Sequence, residues 1–170
     1  MKIKDVRGLF ETGLRYAYDC EQKLVKKGIP TMIEASTSTE LRNALQQHLQ
    51  ETQNHVTRLE RVFSQISVEP KKEDNDVIDE LADAVEGMIS ATEDGSPVRD
   101  AALIVGGNQV EHYEIATYGS LMSLARQLGL SQAADLLQQT LNEEKAADAK
   151  LTQIAESSVS RQATQVQRAA

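Results

Sequence analysis

Apolar residues recur every three to four positions along four long stretches of this 170-residue chain, and that period commits most of it to helix. In the first stretch Leu14, Ala17, Tyr18, Leu24 and Val25 share a stripe. Gly28 and Pro30 then kink or interrupt it, because Pro lacks a backbone donor and clashes with the preceding turn. A last apolar turn (Met32, Ile33, Ala35) leads into Ser36-Thr37-Ser38-Thr39, where Thr37 and Glu40 have the spacing of a capping box that opens the second helix. That helix carries Leu41, Ala44, Leu45, Leu49, Val56, Leu59, Val62, Phe63 and Ile66. Ser96-Pro97 starts the third, a cap followed by proline at the first helical position. Its stripe runs through Leu103, Ile104, Val110, Ile115, Tyr118, Leu121, Met122 and Ala125 to a stop at Gly129. Ser131 is the expected cap of the fourth, which holds Leu136, Leu137, Leu141, Leu151 and Ile154.

The connections between these helices are short, long and short. The long one runs from Ser67 to Ser96, too long for a structureless loop inside a compact domain. It contains its own helical pattern, Val77, Ile78, Leu81, Val85, Met88 and Ile89, and so reads as a crossover bearing a short extra helix. Two antiparallel hairpins joined by one long crossover define an all-α, ferritin-like four-helix bundle, whereas up-down-up-down bundles need only short loops. The bundle is expected over residues 1–156, with residues 157–170 a polar tail that frays or projects.

Composition narrows the function classes. With 26 acidic and 18 basic residues the formal charge is −8, which argues against a nucleic-acid partner, since binding phosphate backbones needs surface Lys and Arg. No apolar run approaches the ~20 residues that cross a bilayer, and the N-terminus lacks the apolar core of a secretory signal. A single Cys excludes an internal disulfide framework and a Cys-based metal cluster. A cytoplasmic protein without a membrane partner is the expectation.

Six acidic residues break the apolar stripes: Glu21, Glu51, Glu111, Glu114, Glu144 and Asp148. Buried acids are costly unless paired, protonated or bound to a cation. Glu21 and Glu51 are 30 positions apart, as are Glu114 and Glu144, and each pair straddles a hairpin turn. At 1.5 Å per residue all four lie roughly 20–24 Å from their turns, in one layer of the bundle. Glu111 and Asp148 fall about one turn further along. Repulsion within such a layer calls for hard cations with oxygen ligands, and dinuclear iron or manganese centres in bundles are built this way. His48 and His55 flank Glu51 by a turn on either side, and each is either a metal ligand or a hydrogen-bonding support to one. His112 is expected nearer the rim. Tyr18 and Tyr118 stand one turn from Glu21 and Glu114, Cys20 reads as a small buried filler, and Gly106-Gly107 suggests a close helix crossing or a local bulge.

The blocks Glu111-His112-Tyr113-Glu114-Ile115-Ala116-Thr117-Tyr118-Gly119, Arg99-Asp100-Ala101-Ala102-Leu103-Ile104, His48-Leu49-Gln50-Glu51-Thr52 and Leu141-Asn142-Glu143-Glu144-Lys145 resemble the YciE/YciF family of bacterial ferritin-like proteins. The resemblance runs from near residue 3 to about Ala155 and implies a dimer associated with stress responses. More distantly the chain is similar to rubrerythrins, whose dinuclear iron site takes Glu, Glu-x-x-His, Glu-x-x-Glu and Glu-x-x-His from successive helices. By position Glu21, Glu51, Glu111 with Glu114, and Glu144 match, but Asn54 and Ala147 stand where the two histidines would be. His48 or His55, and Asp148, are the substitutes on offer.

Two functions follow. One is a dinuclear iron or manganese protein that handles peroxide, dioxygen or iron, with Glu21 and Glu144 or Asp148 as terminal ligands, Glu51 and Glu114 as bridges and Glu111 mobile. The other is a non-enzymatic structural or adaptor bundle with a vestigial site.

Overall fold

The computed structural model describes residues 3–169, and no strand occurs among the described residues. Helix α1 (Val6–Lys23) opens on Asp5, whose carboxylate accepts from Gly8 N at 2.7 Å. Gly28 and Pro30 do not end it. The helix widens through one π-turn at Leu24–Gly28 and continues as α2 (Ile29–Ala35), with Pro30 in the first turn after the bulge, where its missing N–H costs least. The second long helix, α3, spans Thr39–Gln65. Its cap is Ser38, one residue later than the Thr37 capping box expected, and Ser38 Oγ accepts from Leu41 N at 3.3 Å. Asp100, buried in the other hairpin, decides the register by accepting from Thr37 N (2.7 Å) and Ser38 N (2.9 Å).

The crossover contains α4 (Asp76–Ala91), capped by Asn75. The second hairpin pairs α5 (Pro97–Gln127) with α6 (Ser131–Ile154). Ser96 caps α5 as the sequence indicated, its hydroxyl accepting from Arg99 N, and Gly129 turns the chain at φ 72°. Ser131 does not cap α6: the N-cap position is Leu130, with no side-chain hydrogen bond. The expected polar tail is helical instead, passing through a second π-turn (Ala155–Val159) into α7 (Ser160–Ala169). Buried Val159 packs among Met32, Leu103 and Ile154, which gives the segment an apolar anchor.

α1, α3, α6 and α5 form the four-helix ring, and α4 lies outside against α5. Gly106 makes that second packing feasible, since a Cβ there would stand 2.5 Å from Val85 Cγ2. On the inner side a Cβ on Gly107 would stand 2.9 Å from Leu151 Cδ1, so the glycine pair marks a close crossing on two faces.

The apolar interior is divided in two. One cluster holds Phe10, Leu14, Tyr18, Leu59, Phe63, Leu121 and Leu137. The other holds Leu24, Leu41, Leu45, Leu103, Ile104, Leu151 and Ile154. Between these clusters every helix of the ring places buried polar residues: Glu21 on α1, His48, Thr52 and His55 on α3, Glu111 and Glu114 on α5, and Glu144 on α6.

Candidate metal centre

Each helix brings its polar residue inward because the apolar residues on either side along the same stripe are committed to the core. Glu21, Glu114 and Glu144 are at most 2% exposed and Glu111 only 3%, so four carboxylates share one water-poor layer. They divide into two overlapping groups. His48, Glu111, Glu114 and Glu144 each offer a ligand atom within 4.8 Å of one another, and so do Glu21, His55 and Glu144. Glu144 belongs to both. His48 Nε2 lies 3.1 Å from Glu111 Oε1 and 4.0 Å from Glu144 Oε2. His55 Nδ1 lies 3.0 Å from Glu144 Oε1 and 3.4 Å from Glu21 Oε1.

These approaches lack hydrogen-bond geometry at several atoms. Both Glu144 oxygens, Oε2 of Glu21, Glu111 and Glu114, and Nδ1 of His48 and His55 are buried without a hydrogen-bond partner. Buried polar atoms are normally satisfied, so these orphans are the atoms through which the layer could hold a cation. The outer contacts agree. His55 Nε2 stands 2.7 Å from Glu143 Oε2, which fixes the ring and turns Nδ1 toward Glu21 and Glu144. Glu143 is itself gripped by Arg58 through bonds of 2.9 and 3.1 Å, and Arg58 also donates to Thr140 Oγ1 at 2.7 Å. A carboxylate behind a ligating histidine is the usual way its orientation and basicity are set. Tyr118 donates a short hydrogen bond to Glu21 Oε1, and Cys20 Sγ lies 3.7 Å from Glu114 Oε1. Tyr18 instead reaches outward to Glu60 at 2.8 Å.

Without a cation the layer holds protons. Burial opposes the imidazolium charge of His55, but Glu144 and Glu21 outweigh it and push its pKa up to about 10. His48 is held well above its usual value in the same way, burial being overcome by Glu111. Burial raises Glu144 to about 7 against the pull of His55, and burial also holds Glu114 well above its usual value, with Glu144 and Glu21 adding repulsion. The Tyr118 hydroxyl and Cys20 thiol are pushed well up by burial and then by neighbouring carboxylates, so both stay protonated donors.

Of the residues the sequence put forward, Glu21, His48, Glu111, Glu114 and Glu144 meet in this layer and Glu51 and Asp148 do not. The Glu51 side chain is 33% exposed and stands 3.6 Å from His48 Nδ1, beyond hydrogen-bond reach. It lies at the edge of a stripe whose centre is His48, Thr52 and His55. Asp148 is one turn too far toward the rim, where it pairs with exposed His112 at 3.2 Å. His55, which periodicity left level with His48, is fully buried in the second group.

A second buried acid serves the fold. Asp19 is fully buried and binds Lys23 (2.7 Å), Lys72 (3.2 Å) and Asn75 N (3.1 Å). Burial works against its charge, but the two lysines outweigh that and keep its pKa below the usual range. Asn75 also donates to Tyr16 O (3.2 Å) and to the Tyr113 hydroxyl (2.7 Å), pinning the start of α4 to the bundle.

Architecture and interior together define a ferritin-like helical bundle with a carboxylate–histidine centre. The chain belongs to the family described as domain of unknown function DUF892, whose model matches residues 5–164. Protein YciF of Escherichia coli (strain K12) is 37% identical over 164 residues, covering 96% of this chain and 98% of that protein. The crystal structure of the E. coli stress protein YciF superposes with a TM-score of 0.86 at 37% identity, covering 90% of this chain and 96% of that one. YcfI from Rhodopseudomonas palustris gives 0.86 at 38% identity, over 89% of this chain and 95% of that one. A Xanthomonas campestris protein, 21% identical, shares the fold with a TM-score of 0.75 over 96% of this chain and 99% of that one. The YciE/YciF resemblance read from the sequence blocks is thereby established. No helix among the described residues is long and apolar enough to cross a membrane.

Proposed function

We propose that this chain is a dinuclear iron or manganese protein that handles peroxide, dioxygen or iron under stress. One observation carries the reading: Glu144 belongs to both ligand groups, and both of its oxygens are buried without a hydrogen-bond partner. A carboxylate so placed is suited to bridge two ions. His48, Glu111 and Glu114 would complete one position, and Glu21 and His55 the other. This moves the bridging role from Glu51 to Glu144. The four carboxylates balance two divalent charges, which removes the repulsion that otherwise requires trapped protons. A pair of iron or manganese ions supplies redox capacity toward an oxidant. The protein's part is to orient the ligands through Glu143 and Arg58, to hold a proton on Tyr118 beside Glu21, and to keep the layer dry. Glu51 stands with Gln47, His48 and Lys150 around a small cavity of about 230 Å³ that reaches Glu111, a suitable route for ions.

The test is metal uptake by metal-free protein exposed anaerobically to Fe(II) or Mn(II). About two equivalents are expected per chain, and Glu144→Gln should abolish uptake at both positions. Uptake below about a tenth of an equivalent would overturn the reading. A homodimer, which the family resemblance implies, and a cytoplasmic location belong to the same proposal. Light scattering should then give about twice the 18.7 kDa chain mass.

The second reading, a structural bundle with a vestigial site, is favoured by the R. palustris relative, provisionally described as a structural protein. It requires that Glu144→Gln change stability while leaving any oxidant consumption as it was.

A further inference from the structure

A larger cavity, about 430 Å³, opens between the π-turn of the first helix and α4 and runs inward to His48 and Glu111. Its floor is made by two residues of the first ligand group, and its lining changes sharply with depth. Lys23, Lys26, Lys27, Asp79, Asp83 and Glu86 ring the mouth. Most of that charge is already matched, Lys23 with Asp19 and Asp79 at 2.7 Å each and Lys27 with Glu86 at 2.6 Å. The remaining pair, Lys26 and Asp83, are opposite in sign and exposed, so the rim selects no head group. Below it the wall is aliphatic: Leu24, Ile29, Met32, Leu45, Ile78 and Val85. At the floor stand His48 (8% exposed) and Glu111 (3%), whose Nε2 and Oε1 face each other at 3.1 Å.

A pocket with aliphatic walls and a few convergent polar groups at one end is the usual form of a small-molecule site. The π-turn in its wall is the sort of local irregularity that recurs at functional sites. At roughly 30 Å³ for each water-sized unit the space takes on the order of a dozen non-hydrogen atoms. We propose that this cavity binds a medium-chain aliphatic alcohol or aldehyde, its chain along the α4 wall and its oxygen-bearing end against His48 and Glu111. The polar end is placed inward because His48 and Glu111 stand at the floor, while the rim charges are paired or cancel. That this end is also the reacting end rests on the dinuclear reading; the binding itself does not.

The test uses decan-1-ol with the full chain, both metal-free and loaded with Mn(II). Calorimetry should give one site per chain with a dissociation constant on the order of 10–100 µM in the metal-free protein. Ala82→Trp and Thr31→Phe, both partly exposed lining positions, should each weaken binding at least about tenfold without changing thermal unfolding or metal uptake. NOEs should connect the carbinol protons to the His48 ring and the terminal methyl to Ala82. In Mn(II)-loaded protein the carbinol protons should broaden before the methyl. No saturable binding, or equal binding in both filled variants, overturns the site, and reversed NOEs overturn the orientation. Metal uptake failing while decan-1-ol still binds would sink the dinuclear reading and leave the cavity proposal standing.

Discussion

His55 shows how much a single residue's setting decides. Its Nε2 meets Glu143 at 2.7 Å and its Nδ1 faces Glu144 and Glu21, so the ring is oriented from outside the layer by a carboxylate that Arg58 holds in place. Removing that hold leaves the ligand set intact and only frees the ring. Arg58→Met and Glu143→Gln are therefore expected to weaken metal binding about 10–100-fold, read by competition with a chelator of known affinity. The histidine was only half legible beforehand. His48 and His55 are seven positions apart and share a helical face, so spacing admitted both and could not say whether either was ligand or support. Glu51 was misplaced for a related reason. Three residues from His48, it sits some 60° off the stripe centre, and side-chain packing across the bundle, which no single helix contains, turns the centre toward Thr52 instead.

At the level of elements, the sequence was most readable where a signal is local. The four helical periods, the Ser96 cap, the Gly129 stop and the helix inside the crossover are each written within a few residues. Less readable was anything settled by a distant group. Four consecutive Ser or Thr residues precede α3, and Asp100 in the other hairpin selects Ser38 as the cap by binding the loop backbone. The C-terminal segment looked like a polar tail because its few apolar residues are widely spaced, yet one buried side chain, Val159, seats it. Gly106 is the clearest case of a local oddity explained by a remote partner. Gly106→Ala should force Val85 and α4 away from α5 and lower stability by about 1–3 kcal/mol, measured by urea unfolding. The same substitution at Gly119, which has no neighbour within 4 Å of a Cβ, should be neutral or slightly stabilising.

Across the whole molecule, the buried layer links stability to pH with a definite sign. A group whose pKa is raised by folding binds its proton more tightly in the folded chain. Its stabilising effect is complete at low pH and disappears as pH rises through the folded value. For Glu144 that loss runs from about 4.3 to about 7, and for His55 from about 6.5 to about 10. The lowered acids, Asp19, Glu51 and Glu143, act oppositely but only below the usual carboxylate range. Metal-free protein should accordingly melt at a lower temperature at pH 9 than at pH 6. Metal competes with the same protons, so the increase in melting temperature on adding Mn(II) should grow over that range.

The attachment of α4 carries a last consequence for the molecule. Two of its residues, Ile78 and Val85, are buried, against eleven in α5. An element held by so little apolar contact opens at a lower free energy than the global unfolding of the bundle. Amides of α4 should take up deuterium well before those of α5, and the helix that walls the larger cavity is then the first to breathe. Entry to the interior would follow the rhythm of that opening, and an occupant would announce itself as slowed deuterium uptake in α4.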